Sequence, residues 1–271
     1  ANGQINGVGR LTQANGDIYE GELVNGERQG TGKVLYKNGD AYEGQFLNDR
    51  RHGTGTFTGA DGYAYLGEWV AGRIEGKGQV TYPDGSIYEG DFRNDLAEGT
   101  GRILYPDGSS YEGAWKAGVI EGNGVAKYAN GLVYEGQFKN AKNHGIGTMT
   151  FTDGYTYIGE WKDGQRSGQG KATYADGTTY EGQFLNGQRE GQGTIVMPDG
   201  FTYTGSWKAG EIDGQGRATY ANGDVYEGMF AKGKRQGEGT IRYSGGEQAT
   251  GTWNDGILDE DNAEISQTSS N

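Results

Sequence analysis

Residues 82–92 read YPDGSIYEGDF, and residues 105–115 read YPDGSSYEGAW. Variants of this phrase recur every 23 residues along the chain, with no insertion or deletion. One column of the repeat is tyrosine from Tyr19 to Tyr226, and two residues after it a glycine column runs unbroken from Gly21 to Gly251. A fixed period of about 20–50 residues indicates a repeat architecture, in which each unit buries its apolar face against its neighbours.

Each repeat is predicted to form two short antiparallel β-strands. Residues 83–85, Pro-Asp-Gly, are typical of a three-residue hairpin loop that ends in a glycine with positive φ. This loop length aligns aromatic residues and glycines on one face and polar residues on the other. The predicted pairs are Tyr82/Ser86, Val80/Tyr88, Gly78/Gly90 and Gly76/Phe92 on the aromatic face, and Thr81/Ile87, Gln79/Glu89 and Lys77/Asp91 on the polar face.

These pairs place large rings over glycines of the neighbouring strand, which allows the rings to lie flat on the backbone. The predicted fold is therefore all-β, an elongated single-layer antiparallel β-meander of repeated β-hairpins that builds a solenoid-like rod. The phrase Tyr-Glu-Gly-(Glu/Gln)-(Phe/Trp)-x-Asn-Gly-x-x-x-Gly-x-Gly-x-x-x-Tyr-x-(Asp/Asn)-Gly resembles the MORN repeat, in about eleven copies over residues 1–256. The resemblance implies an interaction scaffold, and it adds rod-like dimers and phospholipid contact as properties of similar arrays.

Both ends of the chain depart from the repeat. Residues 257–271, ILDEDNAEISQTSSN, are acidic and then rich in Ser and Thr, and we expect a flexible tail in which Ile257 and Leu258 cap the last strand. The first repeat is truncated, because its tyrosine and tryptophan would fall before Ala1. We interpret this start as an array cut from a longer one, or as one that lost its first strand to processing.

Composition limits the classes of function. The chain has 55 Gly, no Cys and a net charge of −13, which excludes disulfides and thiolate chemistry and disfavours nucleic acid as a partner. No apolar run approaches the ~20 residues of a membrane-spanning helix. Cytoplasmic location, export after removal of a signal, and association with a membrane or envelope are all compatible with this composition.

No constellation for catalysis, metal or cofactor binding stands out, so we predict no enzyme, no cofactor and no metal. The glutamates that follow the tyrosine column repeat every ~9.6 Å by strand geometry, whereas Ca²⁺ needs oxygens at about 2.3–2.6 Å. A solvated face with cross-strand ion pairs is the favoured interpretation. His52 and His144 are expected to be surface residues.

From Phe46 to Trp253, the residue four positions after the tyrosine column alternates between Phe and Trp, and every Trp of the chain lies in this column. Ring packing along the sheet is the favoured interpretation. A single layer, however, offers no second layer to cover the rings, which predicts that some stay available to bind an extended segment or helix of a protein partner. Terminal strands would permit self-association as a homodimer. The candidate groove residues are Tyr63, Tyr65, Trp69, Tyr111, Trp115, Tyr155, Tyr157, Trp161, Phe201, Tyr203 and Trp207.

Two alternatives to a protein partner remain open at this stage. Basic residues gather in the predicted long loops of the Phe-type repeats and could contact phospholipid headgroups, at about 1 kcal/mol for each Lys or Arg. The acidic balance of the chain opposes this alternative. Carbohydrate binding by stacked rings is the second alternative. The candidate lipid-binding residues are Arg50, Arg51, Lys139, Lys142, Arg189, Lys234 and Arg235.

Overall fold

The computed structural model describes residues 5–267, which are organised as antiparallel β-hairpins. Neither an α-helix nor a second sheet occurs in this part of the chain. The chain divides into two compact units. Unit 1 ends at Gly131 and includes Phe138–Ala141, and unit 2 comprises Leu132–Gln137 and continues from Lys142. The predicted all-β meander of hairpins is confirmed in each unit.

The strands follow one another at short intervals. Unit 1 contains β1 (Gly7–Thr12), β2 (Ile18–Val24), β3 (Glu27–Leu35), β4 (Ala41–Leu47), β5 (Arg50–Thr58), β6 (Ala64–Val70), β7 (Arg73–Thr81), β8 (Ile87–Arg93), β9 (Leu96–Leu104), β10 (Ser110–Lys116) and β11 (Val119–Lys127). Strand β12 (Val133–Lys139) spans the division between the units. Unit 2 contains β13 (Lys142–Thr150), β14 (Thr156–Lys162), β15 (Gln165–Thr173), β16 (Thr179–Leu185), β17 (Gln188–Val196), β18 (Thr202–Lys208), β19 (Glu211–Thr219), β20 (Val225–Ala231), β21 (Lys234–Arg242), β22 (Glu247–Asn254), β23 (Ile257–Leu258), a 3-10 helix (Glu260–Asn262) and β24 (Glu264–Gln267).

The hairpin between β7 and β8 has the predicted register. Tyr82 N–H donates to the Ser86 carbonyl at 2.8 Å, which leaves the predicted three loop residues between them, and Gly85 has φ 88°. The observed pairs include Gly78 with Gly90 and Gly76 with Phe92. Sequence alone therefore determines both the turn and the face that each side chain occupies.

The connections on the other side of the sheet differ from the prediction. They contain two residues, such as Asn25 (φ 53°) and Gly26 (φ 84°), in the left-handed conformation that a type I′ hairpin turn requires. The register shifts once between Gly21 and Leu23, so the strand bulges before this turn. The predicted long loops are therefore largely strand, and we call this side of the sheet the short-turn side.

The column tyrosines lie flat over pairs of glycines. Gly21 and Gly32 are directly opposed, and a Cβ placed on Gly32 would stand 2.5 Å from Cε2 of Tyr19. The Tyr19 hydroxyl donates to the Glu22 carbonyl at 2.7 Å, which satisfies the buried polar end of the ring. The same bond to the carbonyl three residues later is made by Tyr42, Tyr65, Tyr88, Tyr111, Tyr134, Tyr157, Tyr180, Tyr203 and Tyr226.

The Phe and Trp rings fill the spaces between successive tyrosines. Tyr42 meets Phe46 of its own strand at 5.1 Å and Trp69 of the next repeat at 5.4 Å between centroids, both with rings nearly perpendicular. Edge-to-face contacts of this kind contribute about 0.5–1.5 kcal/mol each beyond burial. Each unit thus holds a file of rings: Tyr19, Phe46, Tyr42, Trp69, Tyr65, Phe92, Tyr88, Trp115, Tyr111 and Phe138 in unit 1, and Tyr134, Trp161, Tyr157, Phe184, Tyr180, Trp207, Tyr203, Phe230, Tyr226 and Trp253 in unit 2.

The segment after residue 256 pairs with the last repeat, whereas the sequence predicts a flexible tail from this point. Leu258 lies opposite Trp253, and β24 continues along β22 with Ile265 opposite Ala249. The pairing satisfies backbone groups of β22 that an edge would expose. Residues 268–271 of the predicted tail lie outside the described part of the chain.

Candidate functional site

Eight of the predicted groove rings lie in the core, and none of these is more than 9% exposed: Tyr65, Trp69, Tyr111, Trp115, Tyr157, Trp161, Tyr203 and Trp207. The expectation that a single layer leaves these rings available is wrong. Glycine backbone covers one face of each tyrosine and perpendicular rings cover its edges, so the layer buries its own aromatic residues. The Trp69 indole N–H also has a partner, since it donates to the Gly55 carbonyl at 3.2 Å.

Arginines opposite the Phe and Trp column cover the file of rings at the short-turn side. The Arg51 guanidinium lies 4.1 Å from the Trp69 ring centroid, and its Nη2 donates to the Gly72 carbonyl at 3.2 Å. Arg189 and Arg235 make the same contacts with Trp207 and Trp253, at 4.4 and 4.1 Å. These three predicted lipid-binding residues therefore serve the packing of the next repeat.

The other predicted lipid-binding residues are exposed. Arg50, Lys139 and Lys142 point their side chains to solvent on the short-turn side, and Lys234 lies 3.3 Å from the carboxylate of Asp255. The predicted basic edge therefore has fewer exposed cations than expected, because Arg51, Arg189 and Arg235 lie against the rings.

The remaining three predicted groove residues, Tyr63, Tyr155 and Phe201, are half-buried beside the three-residue turns. Tyr155 and Phe201 belong to a longer set in unit 2 that we call the turn-side row, whereas Tyr63 lies in unit 1. Neighbouring members touch: Phe151 and Tyr155 are 4.9 Å apart, Tyr155 and Tyr174 are 5.1 Å apart, and Phe201 lies 5.7 Å from the ring of the next repeat. The turn-side row comprises Phe151, Tyr155, Tyr174, Met197, Phe201 and Tyr220.

Unit 1 carries equivalent residues beside its turns: Tyr36, Tyr63, Tyr82, Tyr105 and Tyr128. Partial burial raises the pKa of Tyr63, Tyr82 and Tyr105 there, as it does for Tyr155 and Tyr220 in unit 2. Their hydroxyls stay protonated at neutral pH and can donate hydrogen bonds to a ligand.

The position directly before the three-residue turns is not among the site residues predicted from the sequence, although it forms a column of its own. Tyrosine occupies this column at Tyr36, Tyr82, Tyr105, Tyr128, Tyr174, Tyr220 and Tyr243. Its period equals that of the core tyrosines, so period alone does not separate them. The distinguishing signal is the adjacent Asp-Gly or Asn-Gly turn, which places this column at the margin of the sheet, where no further glycine pair receives the ring.

A carboxylate accompanies every turn-side ring in unit 2. Asp176 accepts from Thr178 N–H at 2.8 Å and Asp199 accepts from Phe201 N–H at 2.9 Å. Asp224 accepts from the backbone N–H of Ser244 in the next turn, also at 2.9 Å. Hydrogen bonds from these N–H groups lower the pKa of Asp176 and Asp224 below the usual value, so the turns remain negatively charged.

Between two repeats the turn-side row opens into a pocket of about 660 Å³. Met197, Phe201 and Tyr220 form its apolar walls, and Asp199 and Asp224 stand at its rim. Arg235 also lines it, below the Tyr220 ring. The pocket combines apolar surface with a few fixed polar groups, as small binding sites do.

The opposite face of the sheet is polar. Lys33 pairs with Glu43 at 3.4 Å and Arg217 with Glu227 at 3.3 Å, which confirms the expected cross-strand ion pairs of the glutamate column. Exposed pairs of this kind contribute about 0–1 kcal/mol. A shallow trench of about 1070 Å³ follows the glycine pairs from Leu66 to Lys127, with charges of both signs along it.

The histidines are half-buried rather than fully exposed. His52 Nδ1 accepts from Ala71 N–H at 3.4 Å, which stabilises the next two-residue turn. At the equivalent position, Glu98 Oε2 accepts from Ala117 N–H at 2.8 Å. An acceptor side chain at this column thus caps a left-handed turn residue, as Gln236 also does for Asp255 N–H at 3.0 Å.

No group of His, Asp and Glu within residues 5–267 has the arrangement of a metal site. The same part of the chain has no helix that is long and apolar enough to cross a membrane.

Comparison with known families gives a match over nearly the whole chain. The model of the MORN repeat matches eleven consecutive segments, residues 1–18, 19–41, 42–62, 65–87, 88–110, 111–133, 134–154, 157–179, 180–202, 203–225 and 226–248. A search of curated proteins finds no match.

Among solved structures, the chain is similar to two β-sheet domains. The first is the TCP domain of SAS-4 (dCPAP) from Drosophila melanogaster, in complex with a proline-rich motif of Ana2, with 16% identity over 74% of this chain and 90% of that one and a TM-score of 0.34. The second is the TCP10 domain of CPAP from Danio rerio, in complex with a peptide of STIL, with 14% identity over 96% of this chain and 97% of that one and a TM-score of 0.32.

Proposed function

The chain belongs to the MORN repeat family, and on that premise we propose that it is a non-catalytic scaffold that binds a protein partner along the turn-side row. One observation carries this proposal. The core rings are covered by the sheet itself, so the half-buried rings beside the turns are the aromatic surface that remains available. Aromatic residues with exposed edges are favoured anchors in protein interfaces because they bury a large area with few rotatable bonds.

The two alternatives from the sequence receive less support. Carbohydrate stacking needs an open ring face, and the tryptophans expected to provide it are buried. Phospholipid contact would rest on Arg50, Lys139, Lys142 and Lys234, because Arg51, Arg189 and Arg235 are held against rings and carbonyl groups. Of these four, Lys234 already pairs with Asp255. A net charge of −13 opposes approach to an anionic membrane.

Self-association belongs to the same proposal. Strand β1 pairs with β2, and no other partner of β1 occurs within the described residues. We propose that a second copy adds a strand to the side of β1 that has no partner among the described residues. Strand β22, in contrast, is covered by the segment that follows it. We propose that pairing of two copies, where it occurs, uses the β1 edge.

Photo-crosslinking in living cells tests the proposed binding surface. A benzophenone amino acid replaces Tyr174 or Tyr220 in the turn-side row and, as matched controls, Glu181 or Gln192 on the polar face. We expect covalent adducts with a protein from the two turn-side positions and few from the two controls. Adducts that form mainly from Glu181 and Gln192, or none from any of the four positions, would contradict the proposal.

A further inference from the structure

The turn-side row has a regular spacing that restricts the conformation of its ligand. One residue precedes each of the first four three-residue turns of unit 2, in the order Phe151, Tyr174, Met197 and Tyr220. Because each repeat contributes two strands, these side chains follow one another at ~9.6 Å across the strands. A polyproline II helix has three residues per turn and rises ~3.1 Å per residue, so it repeats every ~9.3 Å. Laid across the strands, it would present the same face to each successive repeat.

Other extended or helical ligands fit this spacing less well. An α-helix brings residues back to the same face after seven positions, about 10.5 Å, and so would drift by about 1 Å with each repeat. A β-strand returns to the same face every ~6.7 Å, and its third residue points away. Over three repeats, polyproline II is therefore the regular backbone that stays in register with the rings.

Charge restricts the sequence of the ligand. Unit 2 carries one carboxylate at each of its first four turns, in Asp153, Asp176, Asp199 and Asp224. The turn residues 152–155, 175–178, 198–201 and 221–224 include no Lys or Arg. Asp153, Asp176 and Asp199 recur every 23 residues, as the side chains before the turns do, and Asp224 lies two positions further along in its own turn. A ligand with Lys or Arg at every third position would therefore place each cation beside a turn while another of its faces rests on the rings.

The pocket between Met197, Phe201 and Tyr220 suits the apolar face of such a ligand. The cation that lines this pocket, Arg235, is committed to the protein: it stacks on Trp253 at 4.1 Å and donates to the Gly256 carbonyl at 2.8 Å. The carbonyl groups of polyproline II have no internal partners, so the Tyr220 hydroxyl beside the pocket can donate to them.

From the spacing of the rings, the row of carboxylates and the apolar pocket, we infer that the turn-side row of unit 2 binds a basic, proline-rich segment in the polyproline II conformation. The inference rests on the proposed function and specifies the partner of the same surface. The segment needs Pro or another apolar residue facing the rings and Lys or Arg at intervals of three.

Fluorescence anisotropy with synthetic peptides tests the inference on the full chain. The probe is a labelled peptide of four Pro-Pro-Lys triplets. One comparison peptide has Glu in place of Lys, and a second has the same composition with its four Lys residues together at one end. We expect the triplet peptide to bind about tenfold more tightly than the Glu peptide and several-fold more tightly than the clustered one, with weakening by salt.

Variants taken from the repeat itself keep the test independent of folding. Asp176→Asn with Asp199→Asn removes two charges at a column where other repeats carry Asn15, Asn38 and Asn222, so the turns are preserved. Tyr220→Gln uses the residue found at Gln13 of the same column. We expect each variant to weaken the triplet peptide by about three- to tenfold, whereas the matched control Glu181→Gln on the polar face leaves binding unchanged.

Equal affinity for the triplet and clustered peptides would overturn the inference, because the register would then have no role. Affinity that is unchanged in Tyr220→Gln would overturn it as well. Failure of all three peptides to bind, together with protein adducts from the crosslinker at positions 174 and 220, would refute the inference and leave the proposed scaffold function standing. Failure of both the peptides and the crosslinker would refute the two together.

Discussion

Tyr65 lies across Gly78 so closely that a Cβ on this glycine would stand 2.5 Å from Cε2 and 2.7 Å from Cζ of the ring. The glycine is therefore a requirement of the core, because the ring occupies the volume that any other side chain needs. The same relationship recurs between each core tyrosine and the glycine on the following strand, so one glycine in every repeat is required by a ring.

Replacing Gly78 by alanine should destabilise the protein by about 1–3 kcal/mol, the usual cost of overpacking. Chemical denaturation monitored by tryptophan fluorescence would measure the change. Gly245→Ala is the matched control, since no atom lies within 4 Å of its added Cβ and its φ is not positive. Equal loss of stability in the two variants would show that backbone entropy, and not the ring contact, decides the effect.

At position 51, the conservative substitution Arg51→Lys should destabilise the protein more than Arg51→Ile does. Lysine lacks the planar group that stacks 4.1 Å from Trp69, so Arg51→Lys should lower the free energy of unfolding by about 1 kcal/mol. Arg51→Ile introduces the residue that occupies the same column at Ile74, where it is buried against its own repeat. We expect the Ile variant to be the more stable of the two in thermal unfolding, and the reverse order would contradict the packing role.

High pH should unfold the chain. Burial raises the pKa of Tyr42, Tyr111, Tyr180, Tyr203 and Tyr226 from 10.0 to about 12. Because the folded pKa lies above the unfolded one, the stabilisation is complete below pH 10 and is lost as the pH rises from 10 toward 12. Tyrosinate absorbance and circular dichroism should therefore change together in this range. The urea-unfolded chain is the control and should titrate near its ordinary value.

Removing the segment after Gly256 should make the chain self-associate. The truncation exposes the outer edge of β22 and uncovers Trp253, which lies opposite Leu258 in the intact chain. Sedimentation velocity of the truncated and full chains at equal concentration would measure this, and we expect a larger species in the truncated chain than in the full chain. A monomeric truncated chain would show that β22 is protected without its cover.

Most of the fold could be predicted from the sequence because the three-residue turn determines how the two strands beside it pair. Residues 83–85 fix the loop length, the loop length fixes which residues pair, and the pairs place Gly78 opposite Gly90. The register of the hairpins closed by three-residue loops follows from this short chain of inference. The bulge before the short turns could not be predicted in the same way, because it depends on the twist of the paired strands.

The candidate site was harder to predict than the fold. The spacing of Tyr65 and Trp69 shows which face they share but not what covers that face, and a single sheet was expected to leave it open. Arg51 was assigned to solvent because of its charge, whereas its planar group stacks on Trp69. Tyr174 and Tyr220 were overlooked because only the three-dimensional margin of the sheet distinguishes them from the core tyrosines.

The file of rings also bears on how such a chain can change its length. Tyr42 meets Phe46 of its own strand and Trp69 of the next repeat, Tyr65 meets Trp69 and Phe92 in the same way, and the two kinds of neighbour continue to alternate along each file. Duplication or deletion of two adjacent repeats therefore restores the same contacts across the new junction. Unequal recombination in steps of two repeats would preserve the core, whereas a step of one would bring two identical rings into succession.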